Sequence, residues 1–251
     1  MRGSAFLMYH QLGEPAAGGD ALYTVPRAAF AAQMHHLRDE GYEVLSVGQA
    51  LAGRPDGRPR VVMTFDDGSA TDRSEAAPLL AALGFGATFY VVAGFLGRPG
   101  FVTEAEAREL VGMGFEVGSH SMSHRYLSDL DAAGLREEVY ASKQRLEDVL
   151  GRRARHFACP GGRCNGRVTE AVRDAGYESL ATSHVGLNTP ATDAFHLTRI
   201  AVQRPLSLDA FGSVCRGEGM AQRRLRELAL GAAKTVLGNG RYDRVRRALL
   251  S

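Results

Sequence analysis

"VVMTFDDGSA", Val61 to Ala70, is the stretch that decides how this chain is read. Val61 to Phe65 have the β-branched and aromatic composition of a buried strand, and Gly68 can end that strand in a tight turn. The strand then delivers two adjacent carboxylates, Asp66 and Asp67, to its C-terminal end, where α/β sheets and barrels keep their chemistry. Adjacent acids repel, so a positive group is expected beside them if both are ionised. Asp-Gly also serves as ordinary turn chemistry, so the stretch is decided by its surroundings.

Strands and helices alternate on both sides of it. "AFLMY" reads as a first strand, and "PRAAFAAQMHHLRDEGY" as a helix with Pro26 at its start and Gly41 at its end. "EVLSV" follows as a strand. Beyond the Asp pair come "SEAAPLLAALG" as helix and "ATFYVVA" as strand. "TEAEARELVGMG" opens with a threonine cap and a glutamate three residues on, and leads to the strand "FEVGSH". "DAAGLREEVYASKQRLEDVLG" is a long helix, "HFACP" a short strand, "GRVTEAVRDAGY" a helix and "ESLATS" a strand. "FHLTRIAV" is the last strand. Such alternation implies a parallel sheet with helical crossovers, and seven or eight strands favour closure into a barrel.

The chain of 251 residues suits one large α/β domain, with two small ones as the alternative. Hydrophobic residues make up 45% and charged residues 23%, and a net charge of +2 gives no electrostatic footprint for nucleic acid. Three cysteines (Cys159, Cys164, Cys215) are too few for a disulfide framework, so a reducing compartment is expected. The apolar run before His10 is too short for a signal-peptide h-region, and a cytoplasmic location is expected. The uncharged window Leu79–Gly97 holds four glycines and reads as helix end, turn and strand, not as a membrane span.

The last stretch differs in character. Residues 1–217 are expected to form the barrel, and 218–251 a basic amphipathic helical extension. From 220 on there are eight basic residues against two acidic ones, with Leu225, Leu228, Ala232, Val236 and Leu237 on one helical face. Such a tail can pack on its own barrel, dock on a partner, or lie peripherally on the inner face of an anionic membrane.

"EVGSHSMSHRYL" carries the second informative pattern. His120 and His124 are four apart just past a predicted strand, and on one turn of helix both imidazoles would hold one cation. In a parallel barrel this pair shares a rim with the Asp pair. Two histidines plus one carboxylate form a donor set that leaves positions open for water and substrate. One aspartate would then bind the metal while the other stays free to take a proton, and the cation would offset the repulsion between them.

The motifs "TFDDG" (Thr64–Gly68), "HSMSH" (His120–His124) and "FACPGG" (Phe157–Gly162), in that order, make the chain similar to the polysaccharide deacetylases of the NodB-homology, carbohydrate esterase family 4. The likeness spans about residues 5 to 205. It implies a distorted (β/α)7 barrel and removal of N-acetyl groups from amino sugars with one divalent metal ion, Zn2+ by default. Asp66 matches the family's general base. Asp67, His120 and His124 match the metal ligands. Gly161 matches the residue whose backbone N–H meets the oxyanion. "LMYH" and "GLN…LTRIAV" are most similar to the intercellular-polysaccharide type.

Two departures stand out. The family's third motif has an arginine, which orients the catalytic base, where this chain has Ala158; Arg199 is the candidate substitute. The late Leu-x-His motif that supplies the general acid is not evident. His184 is favoured for that role over His10. Cys159 and Cys164, with only two thiolates, make a poor second metal site. The expected substrate is an N-acetylated sugar in a glycan, or a lipid- or nucleotide-linked glycan intermediate. A non-sugar amide, or a non-catalytic glycan-binding role, are the alternatives.

Overall fold

In the computed structural model, which describes residues 3–15, 20–53, 57–225 and 228, the decisive stretch forms β5 (Arg60–Phe65). It sits within an eight-stranded, wholly parallel sheet. The other strands are β1 (Ala5–Tyr9), β4 (Glu43–Leu45), β6 (Thr88–Val91), β7 (Glu116–Ser119), β8 (His156–Ala158), β9 (Ser179–Ala181) and β10 (Ile200–Ala201). The order is β10-β1-β5-β6-β7-β8-β9. One edge of β5 is taken by β1. The other is divided, its first half pairing with β4 and its second with β6. Leu197 bridges to Ala181, so the segment entering β10 curls the sheet back toward β9. The result is the distorted (β/α)7 barrel. A separate parallel pair, β2 (Gln11–Leu12) and β3 (Thr24–Val25), extends the rim.

Strand alternation sorts the side chains into two layers. Leu7, Tyr9, Met63, Phe65, Phe89, Phe157 and Leu180 face the helices in the main core. Phe6, Val62, Tyr90, Ala158, Ala181 and Leu197 fill the barrel interior as a second cluster. Tyr9, Phe65 and Phe89 stack across adjacent strands at ring separations of 5.3 and 4.8 Å. Each such pair contributes about 0.5–1.5 kcal/mol beyond its buried area. That stack locks β1, β5 and β6 together, and β1 and β5 end at the site.

The helices are α1 (Arg27–Asp39), α2 (Val47–Ala52), α3 (Ala77–Ala82), α4 (Glu104–Gly112), α5 (Ala132–Arg136), α6 (Ser142–Leu150), α7 (Gly166–Asp174) and α8 (Leu208–Cys215). The Thr103 cap and its Glu106 partner close a capping box on α4, as the sequence predicts. Three expectations change. "EVLSV" is a strand only to Leu45, because Ser46 and Gln49 form a capping box that starts α2. The helix over 131–151 is interrupted by one wide π turn, Glu137–Ala141. "FHLTRIAV" keeps only Ile200–Ala201 as strand, since Ala194–His196 form a 3-10 turn. No helix among the described residues is long and apolar enough to cross a membrane. Most of the basic extension expected over 218–251 lies outside the described residues.

Candidate active site

Alternation explains which residues reach the cleft at the strand ends. Val62, Thr64 and Asp66 share one face of β5, so Asp66 tops the column that begins inside the barrel. By the same period His10 stands above Phe6 and Met8, and His120 above Gly118. Asp67 should by alternation turn away. Its backbone is left-handed (φ 76°), as is that of Gly68 (φ 75°), and this bend brings both carboxylates to the cleft. A β-carbon on Gly68 would lie 3.0 Å from Val91 Cγ1, so the turn needs glycine for space as well.

His120 and His124 do not share a helical turn. The loop between them is irregular, and Ser121 (φ 67°) and His124 (φ 62°) take left-handed conformations. With Asp67 they are the non-glycine residues of positive φ among the described residues, each costing about 1–3 kcal/mol. That strain is concentrated at one place, and it turns the two imidazoles together with their rings 5.1 Å apart.

Asp67 Oδ1 lies 3.2 Å from His124 Nε2 and 3.5 Å from His120 Nε2. The three donor atoms lie within 4.8 Å of one another, and among the described residues no other His/Cys/Asp/Glu group gathers in this way. Asp67 Oδ1 is buried and makes no hydrogen bond of good geometry. His120 Nδ1 meets the Ala158 carbonyl at 2.8 Å, which leaves Nε2 to face Asp67. Burial pushes the His120 pKa down to about 4, so the ring is neutral and its Nε2 lone pair is available. Burial works against the Asp67 carboxylate, but the adjacent histidines outweigh it and hold Asp67 well below the usual carboxylate range. A neutral, oriented His120 and an Asp67 carboxylate with an unpartnered oxygen, joined by His124, whose pKa Asp67 draws upward while no cation is bound, form a donor set that fits a divalent cation.

Asp66 sits beside this group, its Oδ2 3.8 Å from His120 Nε2, and is paired with Arg199. Arg199 Nη1 donates to Oδ1 at 2.6 Å and Nη2 to Oδ2 at 2.8 Å, a bidentate fork with both side chains buried. Burial raises the Asp66 pKa, yet the guanidinium charge more than offsets it and the net shift is downward. Arg199 just precedes β10, whose Ile200 pairs with Leu7, so the arginine starts at the level of Phe6 and reaches up from below. Its Nε donates to the Thr182 carbonyl at 2.8 Å and its Nη1 to Thr64 Oγ1 at 3.3 Å. Ala158, where the family's third motif has an arginine, is buried in the inner cluster.

The cleft, about 540 Å³, is lined by His10, Tyr23, Asp66, Asp67, His120, His124, Tyr126 and Gly161, among others. His10 packs against Tyr23 with ring centroids 4.7 Å apart and the planes tilted by 40°, and its Nδ1 is buried without a hydrogen-bond partner. His184, the favoured general acid from the sequence, has an exposed side chain that does not line the cleft; its backbone carbonyl accepts the Arg199 N–H at 2.9 Å. Gly161 (φ 60°) forms the cleft wall so close to Tyr126 that a β-carbon would lie 2.7 Å from the ring.

A parallel β/α barrel with a two-histidine, two-aspartate cleft at its strand ends defines a broad class of barrel proteins. The family model for polysaccharide deacetylases matches residues 53–180, and the chain belongs to that family. YxkH of Bacillus subtilis (strain 168), which carries the same family name, is 29% identical over 211 residues, 82% of this chain and 74% of that protein. The poly-beta-1,6-N-acetyl-D-glucosamine N-deacetylase of Escherichia coli (strain K12) is 24% identical over 83% of this chain, which spans 38% of that protein's length. Among solved structures, the Streptococcus pyogenes deacetylase PplD in complex with acetate superposes with a TM-score of 0.76 at 25% identity, covering 84% of this chain and 97% of that one. IcaB from Ammonifex degensii gives 0.73 at 26% identity, covering 85% and 97%.

Proposed function

We propose that this protein is a divalent-metal-dependent hydrolase that removes the N-acetyl group from an amino sugar within a glycan, releasing acetate and a free amine. The convergence of Asp67, His120 and His124 beside the Arg199-clamped Asp66 is the observation that carries this reading. Family membership and the relatives named for N-acetylglucosamine deacetylation support it. Asp67, His120 and His124 would hold the cation, which when bound supplies Lewis-acid polarisation and acidifies water.

The chain's own groups divide the remaining work. Both Asp66 oxygens accept from Arg199, a carboxylate has lone pairs beyond those two contacts, and Asp66 lines the cleft. Asp66 therefore takes the proton of the attacking water as a fixed, ionised base. The Gly161 N–H supports the oxyanion that forms on the acetyl carbonyl. His10, inside the cleft where His184 is not, gives a proton to the departing amine nitrogen.

Two measurements test this. Acetate release from N-acetylglucosamine oligomers should disappear on chelation and return with Zn2+, and His120→Ala should lose the bound ion. Failure of the cation-loaded protein to deacetylate any N-acetylated glycan would remove the reading. For the acid, His10→Ala should lower kcat by ~10²–10⁴-fold, whereas His184→Ala should stay within a few-fold of wild type. The reverse ranking would return the role to His184.

A further inference from the structure

The loop that carries His124 into the site is held from outside the cleft by a buried carboxylate. Glu138 is 3% exposed. Its Oε2 accepts from the backbone N–H groups of Met122 (3.0 Å) and Ser123 (2.9 Å), and its Oε1 accepts from the Ser123 hydroxyl. All three donors lie between His120 and His124. On the other side of the loop, Ala93 N–H donates to Ser121 O at 3.0 Å and Gly94 N–H to Met122 O at 2.9 Å. The loop is gripped from both flanks, and only the Glu138 side carries a charge.

We infer that Glu138 is a positioning residue for the site: it holds the strained His120–His124 loop in the one shape that aims His124 at Asp67. Three considerations lead there. Left-handed Ser121 and His124 are unfavourable by themselves and persist only where surrounding contacts over-determine them. Hydrogen bonds from two consecutive amides to an ionised acceptor are about twice as strong as neutral ones, so they can offset that strain. Finally, Glu138 sits on the single π turn between α5 and α6, where a helix widens by one residue and re-aims its side chains; such turns recur at functional sites. Glu138 does not line the cleft, so it reaches the site through the loop it holds and not by touching a substrate there. The inference rests on the reading that Asp67, His120 and His124 hold a divalent cation.

The test is the affinity of full-length protein for Co2+ or Zn2+, measured by calorimetric titration well below the melting temperature. Wild type, Glu138→Gln and Ser123→Ala are compared, with melting curves recorded in parallel. Glutamine keeps the volume of the side chain but removes its charge, so the two backbone amides lose a charged acceptor and the Ser123 hydroxyl contact must reverse direction. Glu138→Gln should weaken cation binding by about 10- to 100-fold, the usual effect of losing a group that orients a ligand. Its kcat should recover toward wild type when the cation is raised to saturation. Ser123→Ala, a change at an exposed side chain, should weaken binding several-fold and remains informative should Glu138→Gln not fold.

A purely structural Glu138 would lower the melting temperature and leave the affinity unchanged. Wild-type affinity in Glu138→Gln, or in Ser123→Ala if the former cannot be purified, therefore overturns the inference alone. Wild-type protein that binds no divalent cation overturns the metal reading and the inference with it.

Discussion

Replacing Arg199 with methionine is expected to lower stability by about 3–5 kcal/mol, because it leaves Asp66 as a buried carboxylate without its partner. Methionine fills similar space, so little of the loss comes from a cavity. The sign with pH follows from the downward shift at Asp66. A carboxylate that titrates lower when folded contributes its stabilisation in full above the unfolded value, near pH 4, and loses it as the pH falls through the folded value. The gap between wild type and Arg199→Met in denaturant melts should therefore be widest at neutral pH and shrink in acid. Arg199→Lys should fall between them, since an ammonium cannot reproduce a two-pronged contact. Equal stability of wild type and Arg199→Met at pH 7 would mean that the pair is not the fixed, buried unit described above.

Asp66→Asn should abolish most turnover, by ~10²–10⁴-fold, while the protein still binds its cation. The amide keeps one acceptor oxygen but sets an NH2 group against the donor-only guanidinium, and it cannot take a proton from water. Asp67, His120 and His124 are untouched, so metal stoichiometry should match wild type. The buried Arg199 charge loses its counterion in this variant too, so the fold should weaken and the assay belongs well below the lowered melting point. Near-wild-type kcat would sink the assignment of Asp66 as base.

Much of this was legible locally. Composition marks β5, and Asp-Asp-Gly at its end marks the rim; alternation of strand and helix follows from short-range pattern. The Ser46–Gln49 capping box was equally readable, yet the β-favouring "EVLSV" masked it. Strand period could also have ranked the histidines: His10 is in phase with Phe6 and Met8, whereas His184 is out of phase with Ala181 and Ser183, and these phases are the ones that reach the cleft. Other features were out of reach. No residue type in Ser-Met-Ser-His announces two left-handed positions, because that shape is imposed by Glu138 and Ala93–Gly94 across the chain. Arg199 could be named as a candidate but not placed, since its partner is 133 positions away and only the register of β10 on β1 sets its depth.

The arrival of the base's partner on the final strand ties the site to chain order. Asp67, His120 and His124 are all present once the first half of the polypeptide is made, but the carboxylate beside them stays unclamped until residue 199 has docked against β1. A chain that ends short of that point contains the three donor residues but no guanidinium to fix Asp66. Docking of residue 199 against β1 is thus the step that completes the clamp on Asp66, and in chain order it is the last part of the site to arrive.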